Sequence, residues 1–225
     1  MMRLRWSAVL GVVLAAAIAV AENPCTPSTP VATQKRTGMK HRAPASSGTH
    51  VEAATVAEMI SWEQPDDLTD RDVRSSNSPI DPREEEVFAL EGDLWRIAEE
   101  ANDCDYHLEI SAPGKNKKAD RVIIEVPNDA AFAEARNNVV AALRAADRTK
   151  LENSGEAVLE QSVPLKLTGY AFFDAFHYSP HFSPAHPGKC RFTKAQKLQR
   201  GNSHGTCAVA TLWELHPVWK LSSTP

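Results

Sequence analysis

The chain has 225 residues, and its 25 Lys and Arg against 29 Asp and Glu give a net charge of −4 at neutral pH. An acidic balance of this kind argues against broad electrostatic binding to nucleic acid, though not against a local basic groove. The chain also carries no nucleophile elbow, phosphate loop or dinucleotide fingerprint, so it belongs to none of the enzyme classes those motifs define.

The chain opens with Arg3 and Arg5, then an apolar run over residues 6–20 that ends in Ala19-Val20-Ala21. A basic start, a short apolar stretch and an A-x-A site predict a secretory signal peptide over residues 1–21. The run is short for a membrane span, and Glu22-Asn23-Pro24 ahead of Cys25 does not suit lipidation. Cleavage would leave 23 basic against 29 acidic residues, a charge of −6, with no transmembrane segment following. The expected location is the periplasm or the medium.

Residues 22–50 are rich in Pro, Thr and Ser without an apolar period, and are expected to be a disordered leader. Residues 51–62 (VEAATVAEMISW) have helical apolar spacing, and residues 63–84, with Pro65, Pro79 and Pro82, predict a wrapping loop. A barrel-forming region is expected over residues 85–221. Its first strand, at 86–99, contains Gly92, which predicts a bulge or bend. Residues 105–111 (DYHLEIS) alternate, with Tyr106, Leu108 and Ile110 on one face and Asp105, His107 and Glu109 on the other. A turn at 112–119 leads to a third strand at 120–126, and Pro127-Asn128-Asp129 starts a helix running to 147. A fourth strand is expected at 163–173 with Gly169 inside it, then a long polar loop over 174–206, then a closing strand at 211–221 (TLWELHPVWKL). That last strand places Glu214 and His216 on one face, two positions apart.

The order β-β-β-α-β-β, mainly β with one or two helices, predicts a five-stranded OB-like antiparallel barrel. The four cysteines, in an exported chain, favour disulfides. Cys190 and Cys207 flank one polar loop and are expected to pair, which leaves Cys25 with Cys104. No C-x-x-C spacing supports a thiolate metal site.

Three patches are familiar together. They are Asp103-Cys104-Asp105-Tyr106-His107-Leu108, Gly169-Tyr170-Ala171-Phe172-Phe173-Asp174 with His177, and Trp213-Glu214-Leu215-His216-Pro217-Val218. They resemble a family of exported bacterial proteins with motifs of the form D-x-D-Y-H-L, G-x-x-F-F-D-x-x-H-G and I-E-L-H-P-V. The resemblance covers about residues 51–221 and implies a small barrel-like domain. It implies no particular reaction. Tyr178 stands where the family pattern has Gly, and the loop through His204 is longer than the pattern's.

Each patch sets an acid near a histidine: Asp105 with His107, Asp174 with His177, Glu214 with His216. Imidazole and carboxylate are ligands for Zn, Mn or Fe, so converging pairs would make a divalent metal site. Two metals there would suit hydrolysis of a phosphodiester, with Arg121 as a phosphate contact, by analogy with staphylococcal-type nucleases. The same pairs are equally well read as structural hydrogen bonds or as part of a ligand site. His181, His186 and His204, in the long loop, lack metal-ligand helix spacing. Lys115, Lys117 and Lys118 read as a charged hairpin tip, and Tyr170, Phe172 and Phe173 as core. The leading expectation is an exported OB-like binding module for an unknown ligand or protein partner; the alternative is a metal-dependent phosphodiester hydrolase.

Overall fold

A computed structural model describes residues 25–28, 36–65, 77–174 and 209–224. The expected signal peptide lies outside the described residues, as do His177, Cys190, Cys207 and nearly all of the loop expected at 174–206.

Five strands form a closed barrel: β2 (Val87–Glu99), β3 (Tyr106–Ser111), β4 (Arg121–Val126), β5 (Glu156–Phe173) and β6 (Val209–Ser223). They pair in the order β2-β3-β4-β6-β5, and β5 returns to β2 to close the cylinder. A short β1 (Glu52–Ala54) adds to β2 in parallel. The mainly β, five-stranded barrel expected from the sequence is therefore present. It is mixed rather than wholly antiparallel, because β4 and β6 run parallel. The reason is the helical crossover after β4. It delivers β5 to the edge of β2, antiparallel to it, and the remaining gap is filled by β6, antiparallel to β5 and so parallel to β4.

The alternation read from residues 105–111 holds. Tyr106, Leu108 and Ile110 of β3 meet Val122, Ile124 and Val126 of β4 in the barrel interior. Phe173 and Trp213 complete the same fully buried core, and each large apolar side chain there contributes about 1.5–3 kcal/mol by leaving water. Both strand glycines sit where chains approach closely. A Cβ on Gly169 would stand 2.6 Å from Val218 Cγ2, and one on Gly92 would stand 2.6 Å from the Ser111 carbonyl oxygen. The β5–β6 register shifts at Gly169, and that of β2 shifts just past Gly92, between Leu94 and Arg96.

The first predicted helix divides. Residues 52–54 join the sheet, and α2 (Val56–Ser61) starts at a capping box in which Thr55 and Glu58 satisfy each other's backbone N–H. Val56 and Met59 then pack into the core. The second predicted helix becomes a 3-10 turn (Ala130–Phe132), α3 (Ala133–Ala142) and α4 (Ala145–Ser154). Leu143 and Arg144 are extended between the two helices, and this break turns both Leu143 and Leu151 onto the core. Strand β5 begins at once after Gly155, whose φ of 68° ends α4.

The expected disordered leader is corrected over residues 36–50. They form a strap that begins with α1 (Thr37–Lys40) and is laid on the outer face of the barrel. Arg36 is buried and forks onto both oxygens of Glu84, at 2.8 and 2.7 Å, while donating to the Phe173 carbonyl at 2.9 Å. The Phe173 N–H donates back to Glu84, so one ion pair serves strap, turn and barrel together. Arg42 stacks on the Tyr170 ring at 3.5 Å. Prolines and hydroxyl residues hid this order, because the strap is held by a few cations and not by an apolar period. The Cys25–Cys104 disulfide, which closes a 79-residue separation, ties the chain ahead of the strap to the start of β3. No helix of the described residues is long and apolar enough to cross a membrane.

Candidate functional site

Alternation that sends Leu108 and Ile124 inward sends His107 and Glu125 to the outer face of the barrel. His107 lies directly opposite Glu125 in the β3–β4 ladder. Ile124 pairs with Leu215 in the next ladder, which brings His216 beside Glu125 from the other side. A row of imidazole, carboxylate and imidazole thus crosses three strands. His107 Nδ1 is 3.1 Å from Glu125 Oε1, and His216 Nδ1 is 2.8 Å from Glu125 Oε2.

Asp105, just ahead of β3, extends the row. Its Oδ1 accepts the Asn128 N–H at 2.9 Å, and its Oδ2 lies 3.5 Å from His216 Nε2. Glu214 stands 3.9 Å from His216 Nδ1. The strap covers this face: Lys40 Nζ reaches to 3.8 Å from Glu125 Oε2, and His41 Nε2 to 3.9 Å from Asp105 Oδ2. His41 Nδ1 is fixed at 2.7 Å by Asp129 Oδ2.

The electrostatics follow from enclosing acids together. Burial disfavours charge on Glu125, yet Lys40 and His216 outweigh it and hold this carboxyl well below the usual range. Burial likewise opposes protonation of His216, but Glu125, Asp105 and Glu214 push it up to about 10. Lys40 is raised against its own burial by Glu125, Glu214, Asp103 and Asp105. Asp103 is raised by burial and by the nearby Asp105 and Glu125.

Among the described residues, the group whose ligand atoms come within metal-binding reach of one another is Asp105, Glu125 and His216, all within 4.8 Å. Of the candidates read from the sequence, Asp105, His107, Glu214 and His216 come together. Asp174 is buried just past β5, with its N–H on the Leu212 carbonyl, and is outside that group; His177 lies outside the described residues. Arg121 is at the far end of β4. Its guanidinium donates to Glu109 at 2.9 Å and to the Lys117 carbonyl, so it is engaged within the barrel wall and is not presented to a phosphate. The sequence reading missed Glu125, Lys40 and His41. Glu125 was legible in principle, since a hairpin closing at 112–119 sets it opposite His107. The two strap residues carry no local signal.

Beside the cluster, a cleft of about 220 Å³ is lined by Tyr106, Asn128, Asp129, Ala130, Arg136 and Asn137. Arg136 lies over the Tyr106 ring at 3.6 Å and donates to Glu99 and to the Cys104 carbonyl. Comparison with protein-family models, with curated proteins and with solved structures finds no match to this chain.

Proposed function

We propose that the protein is an exported OB-like binding module, and that its acid–histidine cluster builds the domain instead of turning over a substrate. The observation that carries this reading is enclosure. Asp105, Glu125, Glu214 and His216 are each under a tenth exposed, and Lys40 and His41 of the strap lie over them. A hydrolytic centre needs a path for substrate and water, and the strap blocks the outer face. The adjacent cleft offers amide, carboxylate and phenol groups on its wall, a lining suited to a hydrated polar ligand such as an oligosaccharide. Export is supported by the signal-like residues 1–21 and by the Cys25–Cys104 bridge, which suits an oxidising compartment. The three motif patches add the resemblance to a family of exported bacterial proteins.

A second reading is a metal-dependent phosphodiester hydrolase. The proximity of Asp105, Glu125 and His216 favours it. One assay separates the two. The protein and its His41→Ala variant, which loosens the strap, are incubated with bis(p-nitrophenyl) phosphate and Zn or Mn, and in parallel screened on an oligosaccharide array. Saturable glycan binding that is lost in Asn137→Ala, with no metal-dependent turnover in either protein, supports the binding module. Turnover abolished by Asp105→Asn would establish the hydrolase instead.

A further inference from the structure

Of the described residues lining the cleft beside the cluster, Arg136 is the cation and Asp129 the acid, and the two are differently engaged. Arg136 is spent within the wall. Its Nη1 donates to the Cys104 and Val126 carbonyls at 2.9 and 3.2 Å, and its Nη2 to Glu99 at 3.0 Å. With its charge answered by Glu99 and its plane over the Tyr106 ring, it is poorly placed to receive an anion. Asp129 is in the opposite condition. Its Oδ2 stands 2.7 Å from His41 Nδ1, yet its side chain is still 47% exposed. The group it already holds is a nitrogen donor that can carry positive charge.

The surroundings add to this. Asp105 Oδ1 accepts the Asn128 N–H at 2.9 Å, so an enclosed acid stands directly behind the lining. Asp103, Glu125 and Glu214 belong to the same cluster. Against these four carboxyls and Asp129 stand Lys40, His41, His107 and His216, so acid is in excess even with every imidazole charged. The N-terminus of α3, at Ala133, also lines the cleft and favours an anion. Its charge is equivalent to about half a unit, against the full unit of Asp129.

From this balance we propose that the cleft selects a sugar bearing a primary ammonium, and that Asp129 sets this specificity. The ammonium donates to the Asp129 carboxylate, a charge-assisted bond. The amides of Asn128 and Asn137, which both donate and accept, take the flanking hydroxyls. The proposal rests on the reading of the cleft as an oligosaccharide site. It adds that ligand and strap compete, because His41 occupies the same carboxylate.

The test is calorimetric titration, at a mildly acidic pH that keeps the amine charged, with three probes: a β-1,4-linked glucosamine tetramer, the matching glucose tetramer and spermidine. The glucosamine tetramer should bind about five- to tenfold tighter than the glucose tetramer. Asp129→Asn should abolish that difference and leave glucose-tetramer binding intact. His41→Ala, which frees the carboxylate from its competitor, should tighten glucosamine binding. Equal binding of the two tetramers would overturn the proposal while leaving the oligosaccharide site standing; binding of neither would remove both. Spermidine binding as tightly as the glucosamine tetramer would overturn the assignment to a sugar. A loss in His41→Ala equal to that in Asp129→Asn would show that the pair acts only by holding the strap, and would overturn the role given to Asp129.

Discussion

Glu125 Oε2 stands 2.8 Å from His216 Nδ1 across the one parallel ladder of the barrel, between strands whose starting residues are 88 positions apart in sequence. The contact joins the third barrel strand to the last, on a face closed by the strap. Its strength comes from that closure, because His216 is fully buried and Glu125 nearly so.

Glu125→Gln should therefore be among the most damaging isosteric changes in the chain. It leaves the charge on His216 facing a neutral amide and leaves one acceptor oxygen where His107 and His216 now face two. Breaking one side of a buried pair costs about 3–5 kcal/mol. Urea unfolding of the variant should show a lower midpoint with an unchanged slope; a midpoint like that of the native protein would show that the pair is not enclosed in solution.

The acid limb of stability should be governed in part by Glu109. Burial raises its pKa, but Arg96 above all, with His107 and Arg121, brings it below the usual value. A carboxyl lowered by folding contributes stability that is complete above its unfolded pKa of about 4.3 and fades as pH falls through the lower folded value. Glu109→Gln should flatten the fall in unfolding temperature below about pH 4.5, with the rest of the pH profile displaced downward. An unchanged acid limb would refute this.

The strap should respond sharply to Arg36. Removing the guanidinium leaves Glu84, fully buried, without its counter-charge, so Arg36→Ala should cost about 3–5 kcal/mol. A double change, Arg36→Met with Glu84→Met, should recover part of that loss, because no bare charge remains although the Phe173 and Ile80 N–H groups lose their acceptor. Limited proteolysis between residues 36 and 50 reads the strap directly: fast cutting is expected in Arg36→Ala and slow cutting in the double variant.

Cys25→Ser should act on the unfolded chain as much as on the folded one. A loop spanning a 79-residue separation is worth about 4–5 kcal/mol in the chain-entropy account. The serine variant should unfold at a lower temperature and lose the part of the reductant sensitivity that the Cys25–Cys104 bridge carries. Equal unfolding temperatures with and without reductant in the native protein would deny the bridge any role.

Much of the barrel was legible because strand alternation is a local signal. Leu108 inward and His107 outward follow from period two alone, and Gly92 and Gly169 marked the close approaches. Glu214 and His216 do stand 3.9 Å apart, but the cross-strand partner of His107 was out of reach for a geometric reason. Residues two apart on one strand, such as Asp105 and His107, are separated by about 6.7 Å, whereas cross-strand neighbours stand about 5 Å apart. The partner of His107 is accordingly Glu125, across the ladder, and not the nearest acid in sequence. The parallel placement of β6 was out of reach, since it depends on where the helical crossover delivers β5. Lys40 and His41 sit in a Pro- and Ser-rich stretch whose composition says nothing of two side chains that meet a barrel wall.

The insertion of the last strand between β4 and β5 has a consequence for the order of assembly. Until residues 209–223 arrive, the β2–β5 and β3–β4 pairings form an open sheet with two bare edges, each a template for another chain. Neither edge can be satisfied by its sequence neighbour, because β4 and β5 do not pair with each other. The fifteen-residue β6 is therefore a keystone: without it the described strands have no shorter barrel to settle into, and closure of the cylinder waits for residues 209–223.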